Sequence, residues 1–152
     1  MSGFAVYATR LGPARIDYED GAVTGLKILA EPAGPGEPNG LTELVWRQLE
    51  EYLDGARRGF DFPMEPRGTD FQRRVWAALG EIPYGETRSY GDIARAIGRP
   101  KAARAVGAAN GKNPVWIAVP CHRVVGSGGR LTGYAGGLEL KQKLLELEGV
   151  QC

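Results

Sequence analysis

Between Phe60 and Gly68 the chain reads Phe-Asp-Phe-Pro-Met-Glu-Pro-Arg-Gly, and this run constrains the fold more than any other. A residue that precedes proline is pushed out of the helical region, so Phe62 and Glu65 are both biased to extended backbone. The run predicts an extended linker, and the chain changes character across it. Charge divides there too: residues 1–66 hold 6 Lys/Arg against 11 Asp/Glu, and residues 67–152 hold 13 against 7. The net charge of +1 conceals that split. A chain of 152 residues can bury a core as one domain or two small ones. The linker favours two, 1–66 and 67–152.

The first half reads as a small antiparallel sheet with one helix. Phe4–Ala8 and Ala14–Tyr18 have strand character, the second alternating with period 2. Asp20-Gly21 is a hairpin turn, and Ala22–Leu29 returns as a third strand. Glu31–Pro38 holds three prolines and two glycines, which predicts a surface loop. Thr42 is placed to cap a helix with Leu44, Val45, Trp46, Leu49, Tyr52 and Leu53 on its apolar stripe, ending near Gly59. Nothing in this half is chemically suggestive, and its role is support.

The second half reads as mostly helical. Thr69-Asp70-Phe71-Gln72 is a capping box for a helix with Phe71, Val75, Trp76 and Leu79 inward, stopping at Gly80. Ser89-Tyr90-Gly91-Asp92 is a second such cap and opens a short helix, Gly98-Arg99-Pro100 is a turn, and Lys101–Ala109 is a second helix dense in alanine. Helix, short turn and small-residue helix form a helix-turn-helix pattern. From Thr87 to Arg130 there are 8 basic residues and 1 acidic, a balance suited to a polyanion. The alanines lack the bidentate groups that read base edges, so such a helix can lie close to DNA but not read its sequence, and an alanine-rich pair that only packs a core stays open on these residues. Leu138–Glu148 is a last helix with Leu140, Leu144, Leu145 and Leu147 inward, and Glu148 sits at its unfavourable negative dipole end.

Two cysteines and one histidine serve the whole chain, and Cys121 and His122 are adjacent. Two cysteines, one of them terminal, make no disulfide framework, which favours a reducing compartment. The N-terminus lacks the basic-then-apolar pattern of a signal peptide, and no apolar run approaches a membrane span. The apolar run Ile117–Val119 reads as a strand reaching Pro120. Side chains of neighbouring strand residues point to opposite faces, so Cys121 and His122 can cooperate only if Pro120 breaks it. A buried structural cysteine and a reactive one both remain open on these residues alone.

Pro120-Cys121-His122-Arg123-Val124-Val125 resembles the alkyl-acceptor motif of the O6-alkylguanine-DNA alkyltransferases. The resemblance extends, in order and spacing, to Ile82–Thr87, Ser89-Tyr90, Lys101–Gly107, Asn113-Pro114, Tyr134–Gly137 and Glu148-Gly149. It implies an N-terminal antiparallel sheet with a helix, RNase H-like, joined to a mostly helical C-terminal domain with a helix-turn-helix. The implied partner is double-stranded DNA carrying O6-alkylguanine, bound by a monomer, with cooperativity along DNA left open. No cofactor, metal or membrane is implied, and the location is cytoplasmic, at the nucleoid in a bacterium. Some members bind zinc in the first half, but no cysteine or histidine precedes Cys121 here.

By the same resemblance Cys121 is the acceptor, and its proton passes through water and His122 toward Glu148. Tyr90, Lys101, Ala102, Ala103 and Arg104 meet DNA, with Arg104 replacing an extruded base and Tyr90 contacting the flipped nucleotide. Asn113 supports the site, and Val124, Tyr134, Ala135 and Trp116 border the substrate. Ala135 stands where many members have serine, while Trp116 and Thr132 are bulky for a pocket rim and narrow it toward small alkyl groups. A lesion sensor without chemistry and a cysteine hydrolase are the competing readings.

Overall fold

The computed structural model describes residues 1–151; Cys152, whose role the sequence leaves open, lies outside them. The chain divides into two compact units, Met1–Arg67 and the residues from Gly68 onward.

In the first unit β1 (Ser2–Thr9), β2 (Gly12–Glu19) and β3 (Ala22–Ile28) form an antiparallel sheet in sequence order. The β2–β3 turn places Asp20 and Gly21 at φ 49° and 82°. That pair of left-handed residues matches the twist of a two-residue hairpin. The period-2 pattern of β2 holds, with Ala14, Ile16 and Tyr18 buried. Each sheet edge carries one bridge to a neighbouring segment, which hinders pairing with foreign strands at that point. On the β1 side, the loop predicted to be free of sheet makes a single bridge, Gly36 to Ala5. Only glycine fits there, because a Cβ would lie 2.2 Å from the Phe4 carbonyl oxygen and φ is 69°. On the β3 side the linker itself meets the edge, Met64 bridging Val23.

The helix α1 (Gly40–Leu53) packs on β1 and β2 and buries Val45, Leu49, Tyr52 and Leu53. Each such side chain contributes about 1.5–3 kcal/mol when fully buried. Its cap is Asn39, not Thr42: the Asn39 side chain accepts from the Thr42 N–H, and the Thr42 hydroxyl accepts from the Asn39 N–H. The expected cap residue is the far half of a capping box. The helix also stops at Leu53, six residues before Gly59, where Gly55 turns the chain at φ 78°. Trp46, expected inward, is 36% exposed and stacks on Tyr7 with centroids 4.9 Å apart.

In the second unit α2 (Asp70–Leu79), α3 (Tyr90–Ala96) and α4 (Ala103–Gly111) pack against one another. The expected capping boxes form at Thr69 with Gln72 and at Ser89 with Asp92. Trp76 is buried and donates from Nε1 to the Ala109 carbonyl at 2.9 Å, tying α2 to α4. The α4 boundary departs from the expected Lys101–Ala109. Lys101 and Ala102 belong to the turn, and the helix runs on to Gly111. The residue at the N-cap is Ala102, which has no side-chain oxygen to hold the first N–H groups. After Gly111 comes the segment that holds Cys121, and α5 (Leu138–Leu147) closes the unit. Two-residue strands β4 (Arg88–Ser89) and β5 (Val124–Val125) pair in parallel and join that segment to the start of α3.

Candidate active site

The Cys121 approach is not a strand. Ile117 has φ 73°, a left-handed conformation that costs a β-branched residue about 1–3 kcal/mol. Asn113 holds the segment in this shape. It is 3% exposed; its Oδ1 accepts from the Val115 N–H at 3.0 Å, and its Nδ2 reaches the carbonyls of Val119 at 2.9 Å and Val115 at 3.2 Å. The same Nδ2 lies 3.1 Å from Cys121 Sγ. One side chain therefore both folds the loop and faces the thiol.

Past Pro120, Cys121–Arg123 form one turn of 3-10 helix, with the Arg123 N–H donating to the Pro120 carbonyl at 3.0 Å. The turn removes the opposite-face constraint of a strand. Cys121 and His122 are both buried, and His122 Nε2 lies 2.7 Å from Glu148 Oε2. With Glu148 ionised, Nε2 is the donor, and Nδ1 becomes the basic lone pair. That Nδ1 is buried and has no hydrogen-bond partner among the described residues.

Glu148 stands at the C-cap of α5, where the helix dipole costs a carboxylate about 0.3–1 kcal/mol. Its partners outweigh that. Arg123 binds it with two nitrogens, Nε to Oε1 at 2.8 Å and Nη2 to Oε2 at 3.0 Å, and the Gly85 N–H adds a third contact at 3.1 Å. Charged hydrogen bonds of this kind contribute about 1.5–3 kcal/mol each. Arg123 also donates from Nη1 to the Ile82 carbonyl at 2.8 Å, which fastens the Ile82–Thr87 loop to the site.

Burial pushes the Cys121 thiol up to about 11, while the Asn113 amide and the Lys141 ammonium pull against it. The resting group is a thiol. Burial also lowers His122 below its ordinary 6.5, despite the opposing pull of Glu148, so the imidazole is neutral at pH 7. Lys141 is buried on α5, donates to the carbonyls of Val124 and, at 2.7 Å, Thr132, and is lowered by burial to about 8.

A stability prediction follows from His122. Its folded pKa lies below the unfolded one, so below pH 6.5 the unfolded chain holds more protons on this group, and its contribution to stability is lost as pH falls. Urea titrations of wild type and His122→Gln should differ by a constant amount above about pH 7.5. The wild-type advantage should shrink as pH falls through about 6.5. A pH-independent difference would show that the imidazole is not held neutral.

Of the residues expected at the site, Cys121, His122, Glu148 and Asn113 come together. Val124 is buried beside them and presents its carbonyl to Lys141. Tyr134 is buried against the half-buried Trp116, ring centroids 6.0 Å apart, and Ala135 is exposed. Tyr90 opens α3 with its hydroxyl 2.8 Å from Thr132 Oγ1. Lys101 and Arg104 are exposed, one before α4 and one on it, while Ala102 and Ala103 are half-buried.

Sequence reasoning missed Arg123 and Lys141 as site residues. A signal existed for Lys141, which occupies the apolar stripe three and four residues before Leu144 and Leu145 and seven before Glu148. Arg123 gave none beyond its place next to His122.

The family model for the 6-O-methylguanine DNA methyltransferase DNA-binding domain matches residues 70–150. The chain is similar to the methylated-DNA–protein-cysteine methyltransferase of Methanosarcina acetivorans, 47% identical over an alignment that covers 96% of this chain and 97% of that one. To its counterpart in Mycolicibacterium paratuberculosis it is 63% identical over 144 residues, 91% and 87% of the two chains. Among solved structures, Mycobacterium tuberculosis O6-methylguanine methyltransferase superposes with a TM-score of 0.88 at 46% identity, covering 97% of this chain and 93% of that one. Mycobacterium tuberculosis OGT in complex with DNA gives 0.87 at 47%, covering 95% and 91%. The three-stranded sheet and five α-helices match these structures.

Proposed function

The chain belongs to the methylated-DNA–protein-cysteine methyltransferase family, and from that premise we propose how its side chains carry the activity. The protein repairs DNA by moving an alkyl group from O6-alkylguanine onto its own cysteine, once and irreversibly. Cys121 is that acceptor. The observation that carries the assignment is the buried thiol, 3.1 Å from Asn113 Nδ2, beside an imidazole held by Glu148 at 2.7 Å.

A thiol with its pKa near 11 is a poor nucleophile at pH 7, and the thiolate must be generated in place. A water between Cys121 and the free Nδ1 lone pair of His122 passes the proton to the imidazole. The resulting cation is stabilised by Glu148, the role of the third member of a triad. Asn113 and Lys141 stabilise the thiolate. Sγ then attacks the alkyl carbon, the S–C bond forms as the C–O6 bond breaks, and the electron pair leaves on guanine O6. The Tyr90 hydroxyl and the N–H groups near Ala135 hydrogen-bond that oxygen, and a proton from the site restores neutral guanine. No group here hydrolyses a thioether, so each molecule acts once.

DNA is the partner. The α3–α4 pair serves as a helix-turn-helix that enters the minor groove, and the first unit is an RNase H-like support. Arg104 fills the gap left by the flipped base, and Lys101, Ala102 and Ala103 lie along the backbone. The protein acts as a monomer in the cytoplasm; no helix among the described residues is long and apolar enough to cross a membrane. The sensor reading is not favoured, because relatives matched along nearly the whole chain carry the transferase name.

The test is mass spectrometry of the protein mixed with a duplex containing O6-methylguanine. One methyl mass on the Cys121 peptide, saturating at one per protein, is the expected result. Bound lesion DNA with Cys121 unmodified would restore the sensor reading.

A further inference from the structure

We propose that Thr132 is a positioning residue for methyl transfer: its hydroxyl holds the Tyr90 phenol so that the phenolic proton can be offered to the departing guanine oxygen. This rests on the reading of Tyr90 given above. The two hydroxyl oxygens lie 2.8 Å apart and either can donate. Thr132 is itself fixed from two other directions. Its carbonyl accepts from the buried Lys141 at 2.7 Å, and its methyl packs close to Gly126, where a built Cβ would lie 3.1 Å from it. The Tyr90 ring is set by its place at the first residue of α3 and by Gly107 of α4, whose built Cβ would lie 3.7 Å from it. The phenol of a helix proposed to meet DNA is thereby linked, through Thr132 and Lys141, to the strand that follows Cys121.

A hydroxyl pair suits this task because it can reverse its polarity by rotation alone. A phenol is the stronger hydrogen-bond donor of the two hydroxyls, so before the lesion arrives it donates to Thr132. As negative charge grows on guanine O6 the phenolic proton turns toward it. Thr132 then donates to the phenol oxygen, and each bond polarises the next. Without that second donor the phenol is a weaker and less well aimed acid. No heavy atom moves in the exchange.

Thr132→Val keeps the shape, the Gly126 contact and the carbonyl that binds Lys141, and removes only the hydroxyl. The single-turnover rate constant from saturating O6-methylguanine duplex should fall about three- to tenfold, within the span of one ordinary hydrogen bond. Duplex Kd should stay within about twofold, Thr132→Ser should restore the rate, and Thr132→Val should add nothing in a Tyr90→Phe background. A wild-type rate for Thr132→Val, failure of serine to rescue, or an equal loss in the Tyr90→Phe background would each overturn the inference. The wild-type arm reports separately: if Cys121 is not methylated there, the reading of the site fails and takes this inference with it.

Discussion

Cys121→Ala is expected to accept no methyl group from an O6-methylguanine duplex at any protein excess, and to bind that duplex within about twofold of wild type, since the thiol lies outside the sequence-independent phosphate contacts that supply most DNA affinity. The side chain is 1% exposed and the substitution removes one sulfur atom from the interior. The stability cost is about 1 kcal/mol, at the low end of buried truncations. Loss of transfer with retained binding separates acceptor chemistry from recognition. Residual transfer would mean that another group takes the methyl. The variant also has a pH signature. The folded thiol keeps its proton to about pH 11, whereas the unfolded one loses it near 9.0. Between those values the folded state holds more protons, so the thiol's contribution to wild-type stability falls as pH rises, and Cys121→Ala lacks that fall.

Glu148→Gln is expected to have the second largest effect, on stability and transfer together. The substitution keeps the shape and removes the charge that Arg123 and His122 both use. Arg123, with its side chain 8% exposed, is then a buried cation without its carboxylate. Breaking a buried pair by removing one partner costs about 3–5 kcal/mol. Urea denaturation followed by tryptophan fluorescence in a Trp46→Phe background reads this in the second unit, where Trp76 and Trp116 lie. The transfer rate of the folded fraction should fall by about 10²–10⁴, the range lost with general acid–base help. Glu148→Asp retains the charge and should recover part of the stability but less of the rate, because the shorter side chain cannot reach both partners. Stability lost with the transfer rate unchanged would reduce Glu148 to a structural anchor.

The parts of this protein legible in its sequence are those decided within a few residues. The capping boxes at Thr69 and Ser89, the Asp20-Gly21 turn and the alternation in β2 depend on local hydrogen bonds and on backbone preference. All four appear where local chemistry predicts them. Local reading erred where two candidates competed for one end. Asn39 took the cap assigned to Thr42, and the uncapped Ala102 let α4 begin two residues late.

Cys121, His122 and Glu148 of the candidate site, and their order in a proton chain, came from the resemblance; the contacts that bring them together did not. His122 and Glu148 are 26 residues apart, and their 2.7 Å contact requires the 3-10 turn after Pro120 and the C-terminal end of α5 to be packed together. Arg123 looks like a surface cation in the sequence, and Lys141 stands on an apolar stripe with no carboxylate three or four residues away to meet its charge. They are buried because carboxylate and carbonyl oxygens from distant segments converge on them. The sequence by itself determined the elements and the chemical groups, since propensity, capping and side-chain chemistry are local. The tertiary structure alone decided which charges are desolvated and which lone pair is left basic. Those properties depend on burial and on partners far away in the chain.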